Sequence, residues 1–329
     1  MSARKQQQPI AASREIAVDL SAVIVCVTGD QPRVLAIRPQ VDALDALPSG
    51  PLESRHHTLE AGLRSWVESQ TRQSLGYVEQ LYTFGDRNRM AVGSRRRVRM
   101  LSIGYLALVR EARAESNSNT VWRNWYHYFP WEDWRRGKPP IFARIERQLR
   151  SWVADARTTG ERRVREERVR ANFGLGSLPW SDERVLRRYE LLYEIGLVRE
   201  SHRDRAPAWC SAEDVIGEGA SMIADHRRVL ATAIARLRGK IKYRPVVFEL
   251  MPPTFTFLNL QQAVEALAGL RMHKSNFRRI VESQGLVEDT GEISAGAAGR
   301  PARLLRYRRD VLLERPAPGA RLPIAPRRK

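Results

Sequence analysis

The chain has 329 residues, 43% of them hydrophobic, and carries 56 Lys and Arg against 37 Asp and Glu, a formal net charge of +19. That length allows two domains with a core each, and the apolar fraction with eight tryptophans excludes a disordered chain. Two cysteines exclude a disulfide framework and a cysteine metal cluster, while the charge suits a polyanion, nucleic acid more often than an anionic membrane surface.

Residues 1–15 are polar, have no apolar stretch behind their basic residues, and read as a flexible N-terminus. IAVDLSAVIVCV follows as a Val- and Ile-rich strand holding Cys26 as a small buried hydrophobe. TGDQPR turns it back into a second strand, VLAIRP, so a hairpin is expected. Beyond PSGP, Leu59, Leu63, Trp66 and Val67 recur at helical spacing and predict a helix from about Thr58 to Gln73. YVEQLYTFG and VRMLSIGYLALV read as strands, the second long enough to be central. Nowhere do uninterrupted apolar residues approach the roughly 18 of a membrane span, so a cytoplasmic, nucleoid-associated protein is expected.

VWRNWYHYFPWEDW crowds aromatic residues against charges, and Trp125, Trp131 and Trp134 either close a core or line a pocket. From Pro140 to about Arg170 the chain is helix-like and heavily charged, the pattern of a solvated helix face. WSDERVLRRYELLYEIGLVRE predicts a helix with Ser181 as N-cap and an apolar stripe of Val185, Leu186, Tyr189 and Leu192. HRDRAPAW reads as a linker. SAEDVIGEGASMIADHRRVLATAIARLRGKIKY reads as one long helical segment, breakable near Gly217 or Gly219, with His226 a hydrogen-bonded structural residue rather than a metal ligand.

Pro252 and Pro253 mark a boundary. LNLQQAVEALAGL is an amphipathic helix with Leu260, Val264 and Leu267 inward, and HKSNFRRIVESQGL is a second, closed by Gly285. VEDTGEISAGAAGRPARLLRYRR reads as two strands around a Gly-rich tip, and helix, helix, hairpin is the order of a winged helix-turn-helix. On the second helix Phe277, Ile280 and Val281 cluster on one side, with Ser275, Arg279 and Glu282 opposite and Lys274, Asn276 and Arg278 flanking. Short polar groups and guanidiniums in that arrangement suit base edges and phosphates. Arg300 and Arg303 flank the tip, where a wing touches the DNA backbone or enters a minor groove. From Arg271 onward the chain carries 14 Lys and Arg against 6 Asp and Glu. Winged helices also serve as protein-binding modules, but basic residues on both helix and wing favour DNA. The expected DNA-binding set is Lys274, Ser275, Asn276, Arg278, Arg279, Arg300 and Arg303.

RSWVESQTRQSLGY lies in the register of the Nudix hydrolase motif, GX5EX7REUXEEXGU with U aliphatic, whose glutamates hold Mg²⁺ along one helix. Gly50, Arg64 and Glu68 match. His56, Ser65 and Ser69 stand where glutamates belong, Trp66 takes the aliphatic place, and Thr71 replaces the second glycine. One motif carboxylate left in the helix does not hold Mg²⁺ tightly, so no metal and no cofactor are expected. A pyrophosphohydrolase with an atypical metal site is the alternative.

With ALPSGPLE, VEQLYTFGD, GYLALV, DHRRVLATAIARLRGKIKY, FELMPPTFTFLNLQQAVEAL, NFRR and GRPARLLRY, the chain resembles the Nudix-related transcriptional regulators of NAD metabolism. The likeness covers residues of about 15–112 and 222–309, and the long middle segment points to a divergent branch similar to the proteobacterial repressors of de novo NAD synthesis. It implies an α/β Nudix-like domain over 16–245 with an α-helical insertion at about 113–221. A winged helix-turn-helix over 246–312 and a basic tail over 313–329 would follow. It also implies a homodimer on palindromic double-stranded operator DNA, a repressor answering to an adenine nucleotide effector: NAD, ADP-ribose or ATP. For that nucleotide, Arg38 and Arg64 suit phosphates, with Glu68, Asp86 and Arg89 beside them. Tyr82 and Phe84, alternating on one strand, either stack on adenine or simply pack the sheet. Arg95, Arg96 and Arg97 either touch phosphate or are solvated. An RNA-binding or protein-binding adaptor is a weaker rival, because the helix and wing hold only Phe277 and Tyr307 for base stacking.

Overall fold

The SAVIVCV run becomes the spine of a sheet. In the computed structural model, which describes residues 16–38, 44–85, 99–110, 119–176, 178–204, 215–217, 219–294 and 301–310, β1 (Ile16–Thr28) is buried from Leu20 to Cys26. A strand covered on both faces needs continuous apolar residues rather than alternation, which is what this run supplies. Gly29, at φ +60°, turns β1 into β2 (Gln31–Ile37), and the two pair antiparallel with Val25 opposite Val34. β3 (Ser49–Pro51) also pairs with β1. After α1 (Leu59–Thr71) come β4 (Tyr77–Phe84) and the central β5 (Arg99–Leu108), which runs parallel to β1. The strand order is β4-β5-β1-β2-β6, with β6 (Thr120–Asn124) antiparallel to β2 at the edge.

VWRN therefore belongs to the sheet, and the helical segment begins later than position 113. Trp122 opposite Leu35 packs this edge strand against the sheet's core, which explains why the stretch is extended. The helical part comprises α2 (Phe142–Ala154), α3 (Thr159–Phe173), α4 (Val185–Glu194) and α5 (Arg199–Arg203). Trp125 and Trp131 are fully buried and Trp134 packs against them, so these rings close a core. Ser181 precedes a 3-10 turn without a side-chain capping bond, and α4 starts at Val185. α3 is solvated on most of its surface, burying only Val169 and Phe173.

The long helix expected from Ser211 is instead α6 (His226–Lys240). The described residues before it bond to the domain rather than to themselves. Ala220 N–H donates to the His127 carbonyl at 2.9 Å, Met222 bridges to Asp45, and Gly219 adopts φ +93°. His226 is buried, and its Nδ1 accepts from the Leu47 N–H at 2.9 Å, the structural role expected of it.

The sheet has two separately covered faces. On one, Leu63 and Val67 of α1 pack on Leu20, Ala22, Ile24, Tyr105 and Ala107. On the other, Val23, Val25, Leu106 and Leu108 join α6 and the helical segment in a larger cluster. That cluster continues without a break into α7 (Phe257–Ala268) and α8 (Lys274–Ser283) through Val264, Leu267, Phe277 and Val281. Gly285 follows α8 at φ +61°, and β7 (Val287–Ser294) pairs antiparallel with β8 (Ala302–Tyr307). The Tyr307 ring stacks on Phe248 at 4.3 Å and pins the hairpin. Residues 1–15 and the basic tail 313–329 lie outside the described residues.

Candidate nucleic-acid interface and ligand cleft

α8 separates its faces as its sequence requires. Phe277 and Val281 are 2% exposed each, whereas Lys274, Ser275, Arg278 and Arg279 are exposed and Asn276 is half-buried. Arg279 donates to Asn276 Oδ1 at 2.8 Å, which holds the guanidinium beside the amide. Arg278 lies over the Phe257 ring and donates to Glu282 at 2.8 Å. On the wing, Arg303 is ion-paired with Asp289 at 3.2 Å. Exposed pairs of this kind are worth about 0.2–1 kcal/mol, so phosphate displaces them readily. Arg300 lies outside the described residues.

On α1, Thr58 caps the helix by accepting from the Ala61 N–H. Trp66 lies directly on Gly50, where any added Cβ would overlap the indole, and its Nε1 donates to the Pro51 carbonyl at 2.8 Å. The motif glycine thus makes room for an aromatic ring. Arg64 is occupied by Glu60 at 2.8 Å and by the carbonyls of Leu75 and Gly76. Glu68 is exposed, and Ser69 bonds back to the Trp66 carbonyl. Helix α1 runs through Thr71, and the left-handed turn falls on Arg72 at φ +54°, a conformation a side chain disfavours. Among the described residues no group of three or more His, Cys, Asp or Glu is placed to hold a metal ion.

The expected nucleotide set does not converge. Phe84 is buried on the α6 face, where its ring and Val229 both approach Gly104, and Tyr82 meets it edge-on at 5.4 Å while remaining 63% exposed. Arg64 and Glu68 belong to α1 on the opposite face. Sheet packing accounts for Phe84. Arg38 sits beyond β2, ion-paired at 3.0 Å with Asp45, which is buried and also accepts from Tyr128 Oη at 2.7 Å. Asp86, Arg89 and Arg95–Arg97 lie outside the described residues.

Sequence reasoning missed the mount of the winged helix. The last turn of a helix leaves carbonyls without partners. Here Tyr126 Oη donates to Ala266 O at 2.7 Å, Arg238 Nε to Leu267 O at 2.9 Å, and Trp134 N–H to Gly269 O at 2.8 Å. Arg238 and Arg188 share the fully buried Glu132, Arg188 in a two-point fork of 2.6 and 2.7 Å and Arg238 at 2.8 Å. The aromatic-and-charge crowding of WYHYFPWEDW was the available signal.

Residues 247–307 match the family model for the NrtR DNA-binding winged helix domain. The C-terminal domain is an NrtR-type winged helix. Over 83 residues the chain is 41% identical to the ADPR responsive transcriptional repressor NtrR of Acinetobacter baylyi, covering 25% of this chain and 33% of that one. The chain thus spans about a third of the length of this curated relative. Its fold is similar to that of Shewanella oneidensis NrtR complexed with a 27mer DNA, with a TM-score of 0.51 and 20% identity over 89% of this chain and 94% of that one. A MutT/nudix family protein from Enterococcus faecalis matches with a TM-score of 0.50 and 14% identity over 92% and 90%. The resemblance to Nudix-related regulators and the expected fold, a Nudix-like α/β domain with helical additions joined to a winged helix, both hold.

Proposed function

We propose that this chain is a transcriptional repressor that binds operator DNA through α8 and the β7–β8 wing, with affinity set by an adenine nucleotide in a catalytically silent Nudix-like domain. The observation that carries this is α8 itself: exposed Lys274, Ser275, Arg278 and Arg279 on a helix whose Phe277 and Val281 anchor it in an NrtR-type module. Arg279 and Asn276 read bases, Lys274 and Arg278 meet phosphates, and Arg300 and Arg303 act from the wing. ADP-ribose is the first effector to test, because the matched Acinetobacter repressor is described as ADPR-responsive; NAD and ATP follow. The targets are genes of NAD biosynthesis, and the working unit is a cytoplasmic, nucleoid-bound homodimer on a palindrome.

The nucleotide acts by shifting populations. It favours one placement of the two winged helices over another, and DNA must change nucleotide affinity by the same factor. The mount at Ala266, Leu267 and Gly269 ties α7 to the Nudix-like domain, so a shift there reaches α8.

Incubation of the purified chain with Mg²⁺ and ADP-ribose or NADH separates this reading from a hydrolase. No turnover is expected, and rapid turnover abolished by Glu68→Gln would replace the regulator with an enzyme.

A further inference from the structure

At the edge of the sheet, β2, β6 and the 3-10 turn Trp125–His127 frame a pocket of about 290 Å³ lined by Gln31, Arg33, Trp122, Arg123, Asn124 and His127. No carboxylate lines it. Among the described residues Arg33 has no hydrogen-bond or ion-pair partner. The Nε of Arg123 is buried without a hydrogen bond. Its nearest carboxylate is Asp45, 3.4 Å away, which already holds Arg38. One carboxylate thus faces two guanidiniums, and Arg33 adds a third charge, leaving the pocket cationic. Burial, reinforced by Arg123, holds His127 below the ordinary histidine range, so it stays neutral at physiological pH and serves as a hydrogen-bonding wall.

Two guanidiniums on adjacent strands suit a diphosphate, since each planar fork engages two oxygens. Trp122 supplies a flat apolar wall, and Asn124 an amide. The volume lies at the small end of ligand pockets, about 300–1,000 Å³, which fits a diphosphate with part of a nucleoside rather than a whole dinucleotide.

Resting on the adenine-nucleotide reading above, we infer that this pocket seats the diphosphate of the effector, with Arg33 and Arg123 on the phosphates and Trp122 beside them. The α1 face offers less, because Arg64 is engaged by Glu60 and two carbonyls. The location also explains how binding is felt at the winged helix. Two residues beyond Asn124, Tyr126 donates to Ala266 of α7, and Asp30, beside Gln31, receives Arg135 from the segment that carries Glu132.

Calorimetric titration of the full chain with ADP-ribose and, separately, with inorganic pyrophosphate tests this. Arg33→Gln should weaken both by about tenfold, the loss of one charge-assisted contact, while keeping the native unfolding midpoint. ADP-ribose bound equally well by native chain and Arg33→Gln overturns the pocket and leaves the nucleotide reading standing. So does loss of binding in Arg64→Gln alone. A chain that binds pyrophosphate through Arg33 yet none of ADP-ribose, NAD or ATP keeps the pocket and removes the nucleotide reading.

Discussion

Arg238 Nε, on a helix of the Nudix-like domain, donates 2.9 Å to the Leu267 carbonyl in the last turn of the first winged-helix helix. The same guanidinium holds Glu132, so the charge network of one domain caps a helix of the other.

Glu132→Gln leaves two buried arginines without their anion. Breaking a buried pair from one side costs about 3–5 kcal/mol, and a loss of that order is expected in the urea midpoint. A change under about 1 kcal/mol would mean that Arg188 and Arg238 are satisfied by the carbonyls of Asn172, Ser181 and Leu267 alone.

Gly50→Ala places a methyl in the volume of the Trp66 indole. Overpacking of this kind costs about 1–3 kcal/mol. Trp66→Leu in the same chain should recover part of that loss, a non-additivity read from the four melting curves of the cycle.

Stability should fall in acid partly through Glu79. Burial alone would raise its carboxyl, but hydrogen bonds from Lys240 and Tyr77 outweigh that and hold it below the usual carboxylate range. Its contribution is therefore complete above the unfolded carboxylate range and is lost as pH falls through the lower folded value. Glu79→Gln should flatten that part of the pH–stability curve, while an unchanged slope would assign acid sensitivity to other groups.

Much of this architecture was legible before any coordinates. The apolar run from Ser21 to Val27, the period of Leu59, Leu63 and Val67, and the order of α7, α8 and hairpin all act locally, so periodicity finds them. What escaped were long-range pairings. VWRN is a strand because of β2, some 90 residues away, and Met222 is held out of a helix by Asp45. The DNA face was readable because one helix carries it. The nucleotide set was not, because motif register says nothing about which side of a sheet Tyr82 and Arg64 occupy.

Arg279→Ala removes the exposed guanidinium best placed to meet a base. It should cost about 1–3 kcal/mol in operator binding at fixed salt, more on the operator than on random DNA. Equal losses on both sequences would move Arg279 to the phosphates.

The most direct measurement is operator-binding affinity with and without ADP-ribose, by fluorescence anisotropy of the full chain on DNA upstream of its neighbouring operon at one salt concentration. Specific binding, shifted by ADP-ribose within the fivefold to 150-fold range typical of coupled sites, is the predicted result. Absence of specific binding, or an affinity that no adenine nucleotide alters, would contradict a ligand-controlled repressor.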